Sequence, residues 1–437
     1  MKLRYIILLI VVYAGSCRQA DERSGVDWVN NEKSIQASLI NAQPGDTIVL
    51  DSGYYWFTKG MVLEGKENLV IKGAGMDKTY LSFKGQTSGS AGLKISNCKN
   101  IELIGFHIED AKGDNIKVSE TDGIFFKGLR TYWTNGAKST NGAYGLYPVL
   151  CKNVLIEDCV AARASDAGIY VGQSDTVIIR RNIVYENVAG IESENSNIVD
   201  IYDNKVFNNT GGILIFDLPG LTQYGSQTRI FNNMVEGNNH RNFAPAGNIV
   251  SSVPPGTGIM LLSTRDAEIF DNEIVHNRTV GTAITSYELI LAMEIEETGS
   301  GEGSLELHNA NYSLDTLYNP FPDGVYIHSN FYKSKHWFPS LRNDFGKLLF
   351  RYFPFKSIHI LWDGFTDPDR SEESPILCIE QETDINFANI NVPEDLKNME
   401  KTTENYRCSG QKLQQVKLSR YGVVVDDKED NLSQENI

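Results

Sequence analysis

Five residues in the middle of the 437-residue chain have side chains suited to acid–base work on a sugar: Tyr144, Tyr170, Glu192, Glu194 and Asp217. A carboxyl group can protonate a leaving oxygen, take a proton or hold calcium, and a tyrosine can pass a proton on. These five are the catalytic candidates. Around them stand residues suited to holding a substrate: Tyr147 and Phe216, whose rings can stack on the apolar face of a pyranose, and Asp166, which can take its hydroxyls. Just upstream, TDGIFFKGLRTYWTNGAKSTNGAYG carries Arg130, Trp133 and Lys138, two cations and an indole. A cation there would steady the enolate-like intermediate of a uronate β-elimination or epimerisation. The plain alternative is a solvated sheet face with surface aromatics.

Spacing says what must position these residues. Gly145, Gly168, Gly190 and Gly212 open near-identical stretches, GLYPV, GIYVG, GIESE and GILIF, at intervals of 23, 22 and 22 residues; Gly258 and Gly281 repeat the pattern. Asn182, Asn204, Asn233 and Asn272 form a second marker, each followed five residues later by Asn187, Asn209, Asn238 and Asn277. The apolar residues between them are short, alternating and β-branched, which is a strand signal. One coil of about 22 residues, holding three short strands, stacks equivalent positions about 4.8 Å apart. Asparagines at such positions can then hydrogen-bond from rung to rung. Parallel crossovers are almost always right-handed, so the expected fold is an all-β, right-handed parallel β-helix over 31–345. Alternation points Ile169, Val171 and Ile191 inward and lines up Tyr147, Tyr170 and Glu192 on the outside.

The rest of the chain reads in pieces. Lys2 and Arg4 precede an apolar run too short to span a bilayer, and Ala14-Gly15-Ser16-Cys17 follows. Residues 1–17 therefore read as a signal peptide that ends either in a lipidated Cys17 or in a plain cleavage site beside an incidental cysteine. The first case puts the chain in a bacterial cell envelope, lipid-anchored to a membrane. A linker over 18–30 leads to an amphipathic helix, Ser34–Ala42, expected to cap the first coil. Two intervals lengthen to 29 and 39 residues, near LPGLTQYGSQ and HRNFAPAGNIVSSVPPG, marking loops suited to binding. The period is lost after 345: residues 346–417 read as a C-terminal cover and 418–437 as an acidic, disordered tail. In an oxidising compartment Cys378 and Cys408 could pair, whereas Cys98, Cys151 and Cys159 lie in the repeats as small buried residues.

Net charge is −16 with no basic run, which disfavours nucleic acid as a partner. The seven histidines are scattered, and no repeat carries a metal-ligand spacing. Calcium at the carboxylates is the one cofactor the residue types would suit. The opening coils, NLVIKGAGMDKTYLSF and GLKISNCKNIELIGFHIEDA, resemble pectate-lyase-like β-helix proteins. The run NGAYGLYPVLCKNVLIEDCVAARASDAGIYVGQ is similar to a family of bacterial parallel β-helix repeat proteins, many of them exported lipoproteins. That resemblance implies architecture rather than an activity. Alginate C-5 epimerases carry a YGxDPH-type motif; here Tyr144-Gly145-Leu146-Tyr147-Pro148-Val149 keeps the tyrosine, glycine and proline but has Tyr147 for the acid and Val149 for the histidine. Valine cannot exchange a proton, so only Tyr144 carries over. Two readings remain: an enzyme on extracellular polysaccharide (lyase, epimerase or hydrolase), or a non-catalytic scaffold binding a glycan or an envelope protein. A monomer is expected in either case. Cys17→Ser is expected to move the protein from the membrane fraction to the aqueous one, read by detergent phase partition; unchanged partition would remove the anchor.

Overall fold

The computed structural model describes residues 27–298, 315–371, 374–381, 384–420 and 423–425; Cys17 and the rest of the leader lie outside them. The chain coils into three parallel sheets of 11 strands each, forming a right-handed parallel β-helix. The first sheet, which carries the candidate residues, includes Tyr144–Val149, Ala167–Gly172, Ala189–Glu194 and Gly211–Phe216. The second includes Lys152–Glu157, Asp175–Arg180 and Asn197–Tyr202. The third is built from strands of three residues such as Val160–Ala162 and Ile183–Tyr185. Inward positions fill the solenoid with Leu146, Ile169, Ile191, Val177 and Val184, all without solvent contact.

The asparagine columns are hydrogen-bonded ladders. Asn182 Nδ2 donates to Asn204 Oδ1 at 2.9 Å, Asn204 to Asn233 at 2.9 Å and Asn233 to Asn272 at 2.9 Å. Asn330, which no repeat of the sequence marked, adds a further rung below Asn272 at 2.9 Å. The second ladder runs Asn187, Asn209, Asn238 and Asn277 at 3.0, 2.9 and 3.2 Å. It also explains the glycine column. A Cβ on Gly168 would lie 2.6 Å from Asn187 Nδ2, and one on Gly190 would lie 2.9 Å from Asn209 Nδ2 and 2.6 Å from the Gly212 carbonyl oxygen. Glycine and asparagine thus recur together because each asparagine occupies the volume that a side chain on the glycine would need.

The ends differ from the sequence reading in three respects. The capping helix spans Glu32–Asn41 and seats Leu39 on the first coil, but the preceding Trp28–Val29 is a strand paired with Tyr54 and Tyr55, not linker. The solenoid does not stop at 345: Ile358–Trp362, Leu377–Glu380 and Phe387–Asn389 continue the sheets, and the cover expected from 346 is interleaved with them. Long insertions between the last coils had stretched the period beyond recognition. Residues 411–420 then turn back along the second sheet, where Leu413, Val416 and Ser419 donate backbone N–H groups to Glu268, Asp200 and Asn153. Leu418–Arg420 pairs antiparallel with Val423–Val425, so the start of the tail carries strand structure rather than disorder, and Leu418 packs with Phe125, Leu155 and Ile178; residues 421–422 and 426–437 lie outside the described set. Cys378 and Cys408 are joined in a disulfide, and Cys98, Cys151 and Cys159 are free and buried.

Asn204 accepts from two donors and gives to two acceptors, all buried. Asn204→Ala should orphan those partners and cost about 3 kcal/mol, measured by denaturant unfolding; a loss below about 1 kcal/mol would mean that the ladder adds little beyond the backbone.

Candidate functional site

Register fixes the site before any side chain is considered. Lys94 pairs with Lys117, Lys117 with Tyr147, and Tyr170 with Glu192, with Leu146 opposite Ile169 between them. Lys94, Lys117, Tyr147, Tyr170 and Glu192 therefore stand in one outward column, one residue per rung. Glu194 lies two residues farther along its strand, and Asp166 sits in the turn that enters Ala167–Gly172.

The tyrosines form a triad. The Tyr144 ring is 4.5 Å from both Tyr147 and Tyr170, which are themselves 4.9 Å apart edge to face. Lys117 Nζ stands 4.4 Å above the Tyr147 ring. The Tyr170 hydroxyl donates to Glu194 Oε1 at 2.7 Å, and Asn248, reaching in from a loop, donates to Asp166 Oδ2 at 3.2 Å. Asp166 and Glu192 are buried side by side and hydrogen-bond to each other, and the Tyr144 side chain adds a further bond to Asp166.

Burial dominates the electrostatics. Tyr170, Glu192, Glu194 and Asp166 expose 4%, 1%, 8% and 5% of their surface. Loss of water pushes Glu192 well above the usual carboxylate range, and the neighbouring charges of Asp166 and Glu194 push it further. Burial, then Glu194, raises Asp166 to about 7, against the opposing pull of Tyr144, Glu192 and Asn248. Glu194 is raised by burial to about 7 although the Tyr170 hydroxyl favours its charged form. Asp114, on the preceding coil, is lifted by burial to about 6, with Lys117 and the Tyr144 N–H opposing. The outcome is a set of acids all shifted upward, with Glu192 and Asp166 hydrogen-bonded to each other.

Of the residues singled out from sequence, the structure gathers Tyr144, Tyr147, Asp166, Tyr170, Glu192 and Glu194. It does not bring the others into the cluster. Arg130 belongs to the third sheet and pairs with Asp77. Trp133 is a buried wedge whose Nε1 donates to the Ala111 carbonyl at 3.0 Å. Lys138 is exposed on the turn after it. Phe216 is no platform for a sugar, because it is sealed in a second apolar core with Leu214, Leu218 and Met260. Asp217 is buried beside that core, accepts the Gly225 N–H at 2.7 Å, and is raised by burial to about 7. The outward face is thus not the uniformly solvated wall the alternation suggested, since the long loops fold over its C-terminal half. Lys117, Asp114 and Asn248 were missed. Aligning GLKISNCKN, NIKVSETDG and GLYPVLCKN would have put Lys94, Lys117 and Tyr147 in one column, but the insertion before Tyr144 hid the repeat. Asn248 sits on an irregular loop with no such signal. Among the described residues no group of three or more His, Cys, Asp or Glu is placed to hold a metal ion, which leaves the calcium expectation without a site there.

The architecture defines a class, the right-handed parallel β-helix proteins. The sequence matches the family described as right handed beta helix region over residues 49–222 and 138–294, together more than half of the chain, and the chain belongs to that family. No curated protein sequence matches it significantly. Among solved structures it is similar to DFA-IIIase from Arthrobacter chlorophenolicus A6 (10% identity, 88% of each chain, TM-score 0.50). The mannuronan C-5 epimerase AlgE4 A-module of Azotobacter vinelandii also matches (15% identity, 82% of this chain and 93% of that one, TM-score 0.45). So does the N-terminal fragment of bacteriophage Phi29 gene product 12 (14% identity, 82% and 67%, TM-score 0.44). At these identities the likeness is one of fold.

A carboxyl group whose folded pKa is raised binds its proton more tightly folded than unfolded, so it stabilises the fold at low pH and loses that contribution as pH rises. Stability is therefore expected to fall between about pH 4 and about pH 7, through the folded pKa values of Asp166 and Glu194, by up to about 1.4 kcal/mol per pH unit for each extra proton held. Glu194→Gln should flatten that slope in urea titrations at several pH values; an unchanged slope would mean that Glu194 ionises normally.

Proposed function

We propose that the protein acts on extracellular carbohydrate at the Tyr144–Glu194 cluster, with Glu192 as the acid that protonates a glycosidic oxygen. The observation that carries this reading is the burial of Glu192 and Asp166 side by side next to three convergent tyrosine rings, an arrangement that favours a shared proton. An acid that holds its proton near neutrality is what departure of an alkoxide requires. In the reaction the C–O bond to the leaving sugar breaks as the Glu192 proton passes to that oxygen. Water adds its oxygen to the anomeric carbon and gives one proton to Asp166, whose hydrogen bond with Glu192 carries that proton back and restores the acid. Hydrolysis suits the cluster better than β-elimination or epimerisation of a uronate. Four raised acids, Asp114, Asp166, Glu192 and Glu194, stand in or beside the cluster, the neighbouring cation Lys117 acts on Asp114 and the Tyr147 ring, and Val149 stands where those reactions would want an imidazole. The tyrosines supply stacking surface for an uncharged sugar ring.

In this reading the chain is exported and anchored through Cys17, which places the solenoid where polysaccharide is met. The near-complete burial of Glu192 favours a second reading, in which the tyrosines hold a glycan and the acids only shape the pocket. Incubation with a panel of neutral and acidic polysaccharides, reading reducing ends and unsaturated products, separates the two. Glu192→Gln is expected to lower kcat/KM at least about 100-fold with an unchanged melting transition. Wild-type activity should persist through pH 7, where an ordinary carboxylic acid would be ionised. Binding without turnover by the wild type, lost in Tyr170→Ala, would leave only the scaffold.

A further inference from the structure

The outward column that contains the site changes character once along its length, between Tyr147 and Tyr170: Tyr170 and Glu192 are already buried, and Tyr170 belongs to the second apolar core. Toward the N-terminal end Val62, Lys94, Lys117 and Tyr147 follow one another on successive rungs, all of them partly or fully open to solvent. Beyond Glu192 the same column continues as Leu214, Met260, Ala283 and Leu361, and every one of these is buried. The neighbouring outward column behaves alike, passing from Glu194 to Phe216 and Leu262, both sealed. What seals them is the chain itself. Ile249, Val250 and Val253 from one insertion and Tyr287, Ile290 and Tyr318 from another pack on this face as a second apolar core. The cover is closed by specific polar ties as well as by apolar burial. Asn248 holds Asp166, and Asn195 exchanges hydrogen bonds of 2.8 Å with both backbone groups of Leu218.

A chain lying along the solenoid axis from the Lys94 side meets this wall at Tyr170, where the acid cluster begins. From Lys94 to Tyr147 is two rungs, about 10 Å at about 4.8 Å each, which is room for about two sugar units. We infer that the site is a blind-ended groove that takes the terminal unit of a glycan, with that end seated on the half-open rings of Tyr144 and Tyr147 at the edge of the acid cluster and the next units lying over Lys117 and Lys94. Cleavage is then by removal of end units, and a mid-chain segment is excluded because its continuation would have to pass through Tyr170, Leu214 and Phe216.

This rests on the carbohydrate reading above, and the test separates the two. The full chain, wild type, is incubated with each polymer of the panel, and product size and viscosity are followed from the earliest times. The expected result is one small product from the start, with viscosity nearly unchanged while it accumulates. A ladder of intermediate sizes with an early collapse of viscosity would overturn the blind end and leave the enzymatic reading standing. A second arm needs no turnover. Glu192→Gln is titrated with oligosaccharides of the same polymers, either free or carrying a bulky block on the terminal unit at one end or the other. Blocking one of the two ends should weaken binding at least about tenfold. Equal affinity for free and for both blocked forms overturns the inference even if no polymer is cleaved, and absence of both binding and turnover across the panel removes it together with the carbohydrate reading.

Discussion

The structure depends on one constraint: each coil must repeat the path of the coil before it closely enough for side chains to hydrogen-bond along the axis. The asparagine ladders enforce this at two corners. Each Nδ2 donates to the next Oδ1 and to a backbone carbonyl, and each Oδ1 also receives the backbone N–H of the asparagine one coil before it. A coil displaced by one residue would leave several buried polar groups unpaired at once, which is more than a marginally stable fold can absorb. The glycine column follows from the same demand for space: at Gly168, Gly190, Gly212 and Gly258 an asparagine amide sits where a side chain would be, and at Gly145 and Gly281 a backbone carbonyl does. Once the path is fixed, outward residues at the same offset must stand in columns, and the candidate site is one such column read across four rungs.

A column has a geometric limit that the site overcomes with loops. Equivalent positions on a parallel helix share the same exposure, so an unadorned solenoid offers a long uniform face with no pocket. Here the insertions after Phe216 and Glu236 and beyond Ser286 fold back over the C-terminal half of that face. They build a second apolar core outside the first, and its margin falls on Glu192 and Glu194. Carboxyl groups that would be ordinary on an open sheet are thereby stripped of water on one side while Tyr144 and Tyr147 stay half open on the other. The perturbed acids are a product of the cover more than of the coil.

Much of the fold was legible because its repeat is written in residues with few substitutes. Nothing but glycine fits beside Asn187 or Asn209, and asparagine is the residue whose amide can both give and take along a ladder. The same legibility failed where insertions broke the period, as at Asn330, at the strands after 345 and at Lys117. Trp133 and Arg130 were grouped with the site by nearness in sequence. The corner between the third and first sheets sends them to another face, where each finds its own partner.

The sequence by itself determined the coil, its handedness, the inward and outward parity of each strand, and the meeting of Tyr147, Tyr170 and Glu192, because all of these follow from a local period and from sterics. Only the tertiary structure decided which stretch of the outer face is open. Burial of Phe216 and Asp217, the reach of Asn248 to Asp166, and the loss of water around Glu192 all come from loops whose landing place is set by contacts distant in sequence. Periodicity tells which way a side chain points; what comes to rest on top of it depends on segments that carry no period.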